Sequence, residues 1–133
     1  MLYLLDTNAM SDLMRGSQLR QWLSTLPTDA QVVTCPIVRG EILFGISRLP
    51  EGRRRADLEE RARFYFEVIP TQPLTPGVAE HYAAIKGRLE RSGSLIDEND
   101  LWIASTACHL GATLVTRDRD FSRIAGLSVL GPT

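Results

Sequence analysis

Lysine is almost absent from this chain: of its 15 basic residues only Lys86 is Lys, and the others are all Arg. Arg offers a planar fork of donors that matches phosphate and carboxylate oxygens, whereas Lys is a hydrated point charge. Codon bias produces the same composition, so the excess by itself assigns no partner. Positive charge is not in surplus either. A net charge of -1 and a pI near 6.1 exclude a domain that binds nucleic acid by being basic throughout, which usually has a pI above ~9. Cysteine is scarce. Cys35 and Cys108 have neither C-x-x-C spacing nor a zinc-knuckle pattern, and both read as small buried residues. No apolar run approaches the ~20 residues that span a bilayer. Met1 to Leu5 meet Asp6 directly, without the basic and apolar regions of a signal peptide. A soluble, cytoplasmic protein with no membrane association is the expectation. No G-x-G-x-x-G or G-x-x-x-x-G-K-[ST] string occurs, which removes the dinucleotide and P-loop readings.

What remains is 133 residues, 44% apolar and 23% charged, enough for one compact domain over 1–133 and too few for a second catalytic one. Residues 2–5 form a short apolar run that predicts a buried strand, ended by a turn at Asp6-Thr7-Asn8. Leu13, Leu19, Trp22, Leu23 and Leu26 then follow helical spacing up to Pro27. A second strand fits Ala30 to Thr34, and Pro36 suits the first position of a helix running to about Leu49. The Arg- and Glu-rich stretch up to Val68 reads as a helix with a solvated face, and Pro70 to Pro76 as a turn-rich separator. Val78, Tyr82, Ile85 and Leu89 mark one face of a further helix, closed by Ser92-Gly93-Ser94. Another begins near Asn99 and stops at Gly111; residues 112–116 make a strand, Asp118 to Ile124 a turn with a short helix, and Leu127 to Leu130 a last strand. Strands separated by helices imply crossover connections and a mostly parallel central sheet flanked by helices on both faces.

In such sheets ligands bind at the carboxyl ends of the strands, so residues just past strands come first. Asp6 and Asp118 occupy such positions, Asp100 sits at a helix start, and Glu41 lies on the helix after the second strand. Singly, each has an ordinary use in a turn, a cap or a solvated face. Together, two carboxylates ~5 Å apart repel by about 3 kcal/mol at an effective dielectric of 20, so a convergent cluster calls for a positive partner. Oxygen donors without His or Cys favour a hard cation, Mg²⁺ or Mn²⁺.

The strings DTN (Asp6 to Asn8), CPIVRGEILFG (Cys35 to Gly45), NDLWIASTA (Asn99 to Ala107) and LVTRDRDF (Leu114 to Phe121) resemble, in order and spacing, the motifs of PIN-domain nucleases, and more narrowly the VapC-type toxins of toxin-antitoxin pairs. The resemblance spans residues 1 to about 130. It implies a PIN-like three-layer α/β domain and a metal-dependent endoribonuclease, held in check by a small cognate antitoxin and forming a homodimer. By motif position Asp6, Glu41, Asp100 and Asp118 match the family's four acids, preferred over the nearby Asp97 and Asp120. Thr7, Asn8 and Thr116 match positions that support these acids by hydrogen bonding, while Cys35 stands where many members have a hydroxyl.

The implied chemistry is hydrolysis of an RNA phosphodiester by water activated on Mg²⁺ or Mn²⁺, with Asp6, Asp100 and Asp118 holding the ion and Glu41 completing the site or orienting the nucleophile. Arg15, Arg39, Arg117 and Arg119 are candidates for phosphate contacts. Two alternatives stay open: an RNA-processing nuclease of the same fold, and a nucleic-acid- or partner-binding module without chemistry, though none of the four acids is missing. An aspartate-nucleophile phosphatase is disfavoured, because Asn8 stands where its second Asp belongs.

Overall fold

A computed structural model describes residues 1–16 and 18–131. Ser17, Pro132 and Thr133, which the single-domain expectation includes, lie outside the described residues. The chain runs β1 (Leu2–Leu5), α1 (Thr7–Met14), α2 (Gln18–Ser24), β2 (Gln31–Val33), α3 (Pro36–Ser47), α4 (Arg53–Val68), α5 (Pro76–Ser92), α6 (Glu98–Leu110), β3 (Thr113–Val115), a 3-10 turn (Arg119–Arg123) and β4 (Val129–Leu130). The four strands form one sheet in the order β2-β1-β3-β4, every pair parallel. Tyr3, Leu4 and Leu5 of β1 and Leu114 and Val115 of β3 are all buried. Alternate residues of both central strands are therefore covered, as expected for a parallel sheet with helices on its two faces.

The element sequence follows the expectation closely, with three differences that have local causes. Asp6 does not open a turn. Its carboxylate accepts the Ala9 N–H at 2.8 Å and caps α1, so the helix begins at Thr7. The single helix expected before Pro27 is two, because Gly16 adopts φ +74° just after α1 and breaks the ladder. The separator after α4 is partly tied to the sheet: Thr34 accepts the Gln72 N–H and donates its own to Pro70, forming a parallel bridge with Thr71 beside β2.

Helices α1, α3 and α4 pack against one another, and α5 pairs with α6, which in turn meets α3. The α5–α6 contact is close, since a Cβ at Gly77 would stand 2.2 Å from the His109 ring. Tyr82 stacks on Trp102 at 3.9 Å, its hydroxyl bonds to Glu98, and Lys86 reaches both Tyr82 (3.0 Å) and Glu98 (3.3 Å). This clasp holds the first residue of α6. Among the described residues no helix is long and apolar enough to cross a membrane.

The sheet centre should dominate stability. Leu114→Ala, at a fully buried β3 position, is expected to cost about 2–5 kcal/mol, whereas Leu95→Ala, in the exposed loop before α6, should change stability by no more than ~0.5 kcal/mol. Urea unfolding midpoints of the two variants check this.

Candidate active site

The register that pairs Leu5 with Val115 delivers Asp6 and Thr116 side by side past the ends of β1 and β3. This is also where strand order turns, since the chain leaves β1 toward β2 on one side and returns to β3 on the other. The Thr116 hydroxyl donates to Asp6 Oδ2 at 2.5 Å and accepts the Asp118 N–H at 3.0 Å. One buried hydroxyl thus positions two of the four acids. Asp118 in turn caps the 3-10 turn by accepting the Asp120 N–H at 2.9 Å.

Glu41 is brought in from α3 and held at both oxygens. Thr7 donates to Oε1 at 2.5 Å and the Asn99 amide to Oε2 at 3.3 Å. The expected supporting roles of Thr7 and Thr116 therefore have hydrogen bonds behind them, while Asn8 is exposed. The sequence assigns Asn99 no role of its own, since what reveals one is its contact with Glu41 from the start of α6. Asp97 caps α6 by accepting the Asn99 N–H at 3.1 Å, and Asp120 pairs with Arg123 at 3.3 Å. Cys35 occupies the N-cap position of α3, and burial pushes its thiol pKa up.

Burial and like charge act on these acids together. Burial raises the Asp6 pKa most, Thr116 and the Ala9 N–H oppose this, Asp118 adds repulsion, and Arg117 lowers it. Asp100 is pushed up to about 7, first by burial and then by Asp97, Asp118, Glu41 and Asp6 in turn. Among the described residues, no three His, Cys, Asp or Glu side chains already stand in a ligating arrangement. Donor type nevertheless suits a hard divalent cation, since the cluster is all oxygen.

Of the proposed phosphate contacts, Arg117 is paired with Asp12 at 3.1 Å, and Arg39 lies over the Phe66 ring and reaches Thr71. Arg119 is exposed on the 3-10 turn. Arg15 lines a pocket of about 780 Å³ between α1, α3 and α4, which Thr7 and Glu41 also line, together with Arg53, Arg54 and Arg61. The last three belong to the helix read as a solvated face.

The PIN domain family matches residues 3–127. The chain belongs to that family. Relatives place this PIN domain more narrowly. It is 30% identical to VapC ribonuclease Y4jK of Sinorhizobium fredii, with 98% of this chain and 97% of that protein covered. The fold superposes on VapBC2 from Rickettsia felis, solved bound to a DNA fragment from its promoter, with TM-score 0.89, 25% identity and 98% of each chain covered. VapBC-5 from Mycobacterium tuberculosis, a member of the VapBC family of toxin-antitoxin systems, gives TM-score 0.76 at 27% identity over 98% of this chain and 96% of that one.

The raised pKa values of Asp6 and Asp100 mean that the folded PIN domain binds protons more readily than the unfolded chain between pH ~4 and about 7. Without metal, stability should therefore rise as pH falls from 7.5 to ~5.5, the reverse of a salt-bridged carboxylate. Because Asp100 is only half-buried, solvent screening limits its share to about 1–2 kcal/mol. Thermal melts in EDTA should show this rise, and Asp100→Asn should flatten it. A loss of stability on acidification that Asp100→Asn leaves untouched would refute it. Asp6→Asn is the poorer test, because Asp6 also caps α1.

Proposed function

We propose that this PIN domain is a divalent-cation-dependent endoribonuclease, the toxin of a toxin-antitoxin pair, which hydrolyses RNA phosphodiester bonds. The observation that carries the reading is the convergence of the acids, with the Thr116 hydroxyl bonded to Asp6 and to the Asp118 amide and Glu41 tied to Thr7 and Asn99, in a family whose members carry ribonuclease names. Asp6, Asp100 and Asp118 would hold Mg²⁺ or Mn²⁺. When bound, the ion supplies activation of a water molecule and neutralisation of the charge that develops on the phosphate.

The chain's own residues set the geometry around that chemistry. Thr116 fixes Asp6 and the backbone of Asp118 relative to each other, so the two acids move as a unit. Thr7 and Asn99 hold Glu41 with both oxygens oriented, which suits it to position the attacking water or take its proton. The kinship with toxin-antitoxin proteins supports a small protein antitoxin as the physiological inhibitor. Exposed Leu43, Phe44 and Val68 on α3 and α4 support pairing of two copies.

Purified protein with total RNA and Mg²⁺ or Mn²⁺ should cleave, EDTA should stop cleavage, and Asp100→Asn or Asp118→Asn should reduce the rate at least about a hundredfold. Cleavage that survives both EDTA and these substitutions refutes the reading. Light scattering of the free protein should give a dimer mass at micromolar concentration, and Phe44→Glu should shift it toward monomer. A strictly monomeric wild type would count against the pairing.

A further inference from the structure

We propose that Arg117, oriented by Asp12, binds the RNA phosphate next to the one at the acids, so that this ion pair is a substrate clamp at the rim of the site. The proposal rests on the nuclease reading and adds to it a residue that positions the strand.

Arg117 sits in the chain between two residues of the site. On one side of it Thr116 is bonded to Asp6, and on the other the Asp118 N–H returns to the same hydroxyl, which fixes the backbone that carries Arg117. The side chain then crosses to α1, where its Nε donates to Asp12 Oδ2 at 3.1 Å and its Nη2 to Oδ1 at 3.4 Å. Asp12 follows Asp6 by six positions, a rise of roughly 9 Å along α1. The guanidinium is therefore held to one side of the acids, where it suits a neighbouring phosphate and not the one that the ion would hold.

The pair is made in a way that leaves the guanidinium able to do this. Asp12 takes Nε and the adjacent edge of Nη2, so the end-on fork of Nη1 and Nη2 faces away from it. A fork of that kind matches two phosphate oxygens. The Arg117 side chain is 59% exposed and that of Asp12 24%, and an ion pair this open to water adds little to stability. Its clearer effect is to hold a long side chain in one orientation, which reduces the entropy lost when a phosphate binds. Arg123, by contrast, turns back on its own 3-10 turn at Asp120 (3.3 Å) and toward the Leu95 carbonyl (3.4 Å), an arrangement that closes the turn. Arg39 is engaged over the Phe66 ring.

The probe is a labelled oligoribonucleotide spanning a site that the wild-type protein cleaves in total RNA. Binding is read by fluorescence anisotropy in the Asp100→Asn background, and steady-state cleavage in the otherwise wild-type protein. Arg117→Gln should weaken binding about five- to tenfold with a shallower salt dependence, and should raise KM while kcat stays within about twofold. Arg117→Lys keeps the charge and loses the fork, so the salt dependence should stay and affinity should still fall about threefold. Asp12→Asn should weaken binding about two- to threefold in the presence of Arg117 and not in the Arg117→Gln protein. Arg88→Gln, an equal charge change at an exposed position of α5, should leave affinity as it is. Melting temperatures of all these variants should stay within a few degrees of their parents. Unaltered affinity and KM in Arg117→Gln, an equal fall in Arg88→Gln, or a loss in Asp12→Asn that persists in Arg117→Gln overturns the clamp. So does a large drop in the melting temperature of Arg117→Gln, which would make the pair a structural tie. Where the wild type cleaves, any of these results leaves the nuclease reading standing; absent wild-type cleavage overturns that reading and the clamp with it.

Discussion

The pairing of β1 with β3 is the constraint on which the site depends. Its register sets Asp6 and Thr116 beside each other, and the Thr116 hydroxyl then uses its one proton on Asp6 while receiving the Asp118 amide. A hydroxyl can donate once and accept twice, so the direction of this relay is fixed by its neighbours. A slip of one residue between the strands would turn Asp6 to the opposite face and uncouple it from Asp118. Sheet register and site geometry are one property here.

Around that pairing, carboxylates collect past the ends of β1 and β3 and at the start of α6, while arginines interleaved with Asp57 and Glu60 line the space between α1 and α4, with Glu41 at the boundary. The arrangement costs stability on the acidic side, because burial and like charge both work against ionisation. Stability alone would not select it. The Tyr82, Lys86, Trp102 and Glu98 clasp lies at the end of α6 where the repulsion is greatest and ties that end to α5.

Much of this was legible in the sequence because it rests on short-range signals. Apolar runs marked β1 and β3, Pro36 and Gly111 marked helix ends, and the four acids stood in recognisable strings. What escaped depends on contacts between distant residues. Nothing near Asn99 says that it will meet Glu41, 58 positions away. Arg53, Arg54 and Arg61 read as a solvated face because their neighbours in sequence are Asp and Glu. Their position opposite α1 emerges only once α4 packs there. The split of the first helix came from the backbone of Gly16, and the capping role of Asp6 from its φ and ψ, where the sequence suggested only a turn.

The bond between Thr116 and Asp6 joins residues 110 positions apart, and this bears on when the protein becomes dangerous to the cell that makes it. Chains are synthesised from the N-terminus, and contacts distant in sequence form late and slowly. A growing chain that already contains α1 to α5 still lacks β3, the strand that neighbours β1. Asp6 then has neither its hydroxyl partner nor Asp118 beside it. Asp6, Thr116 and Asp118 come together only when nearly all of the chain has been made.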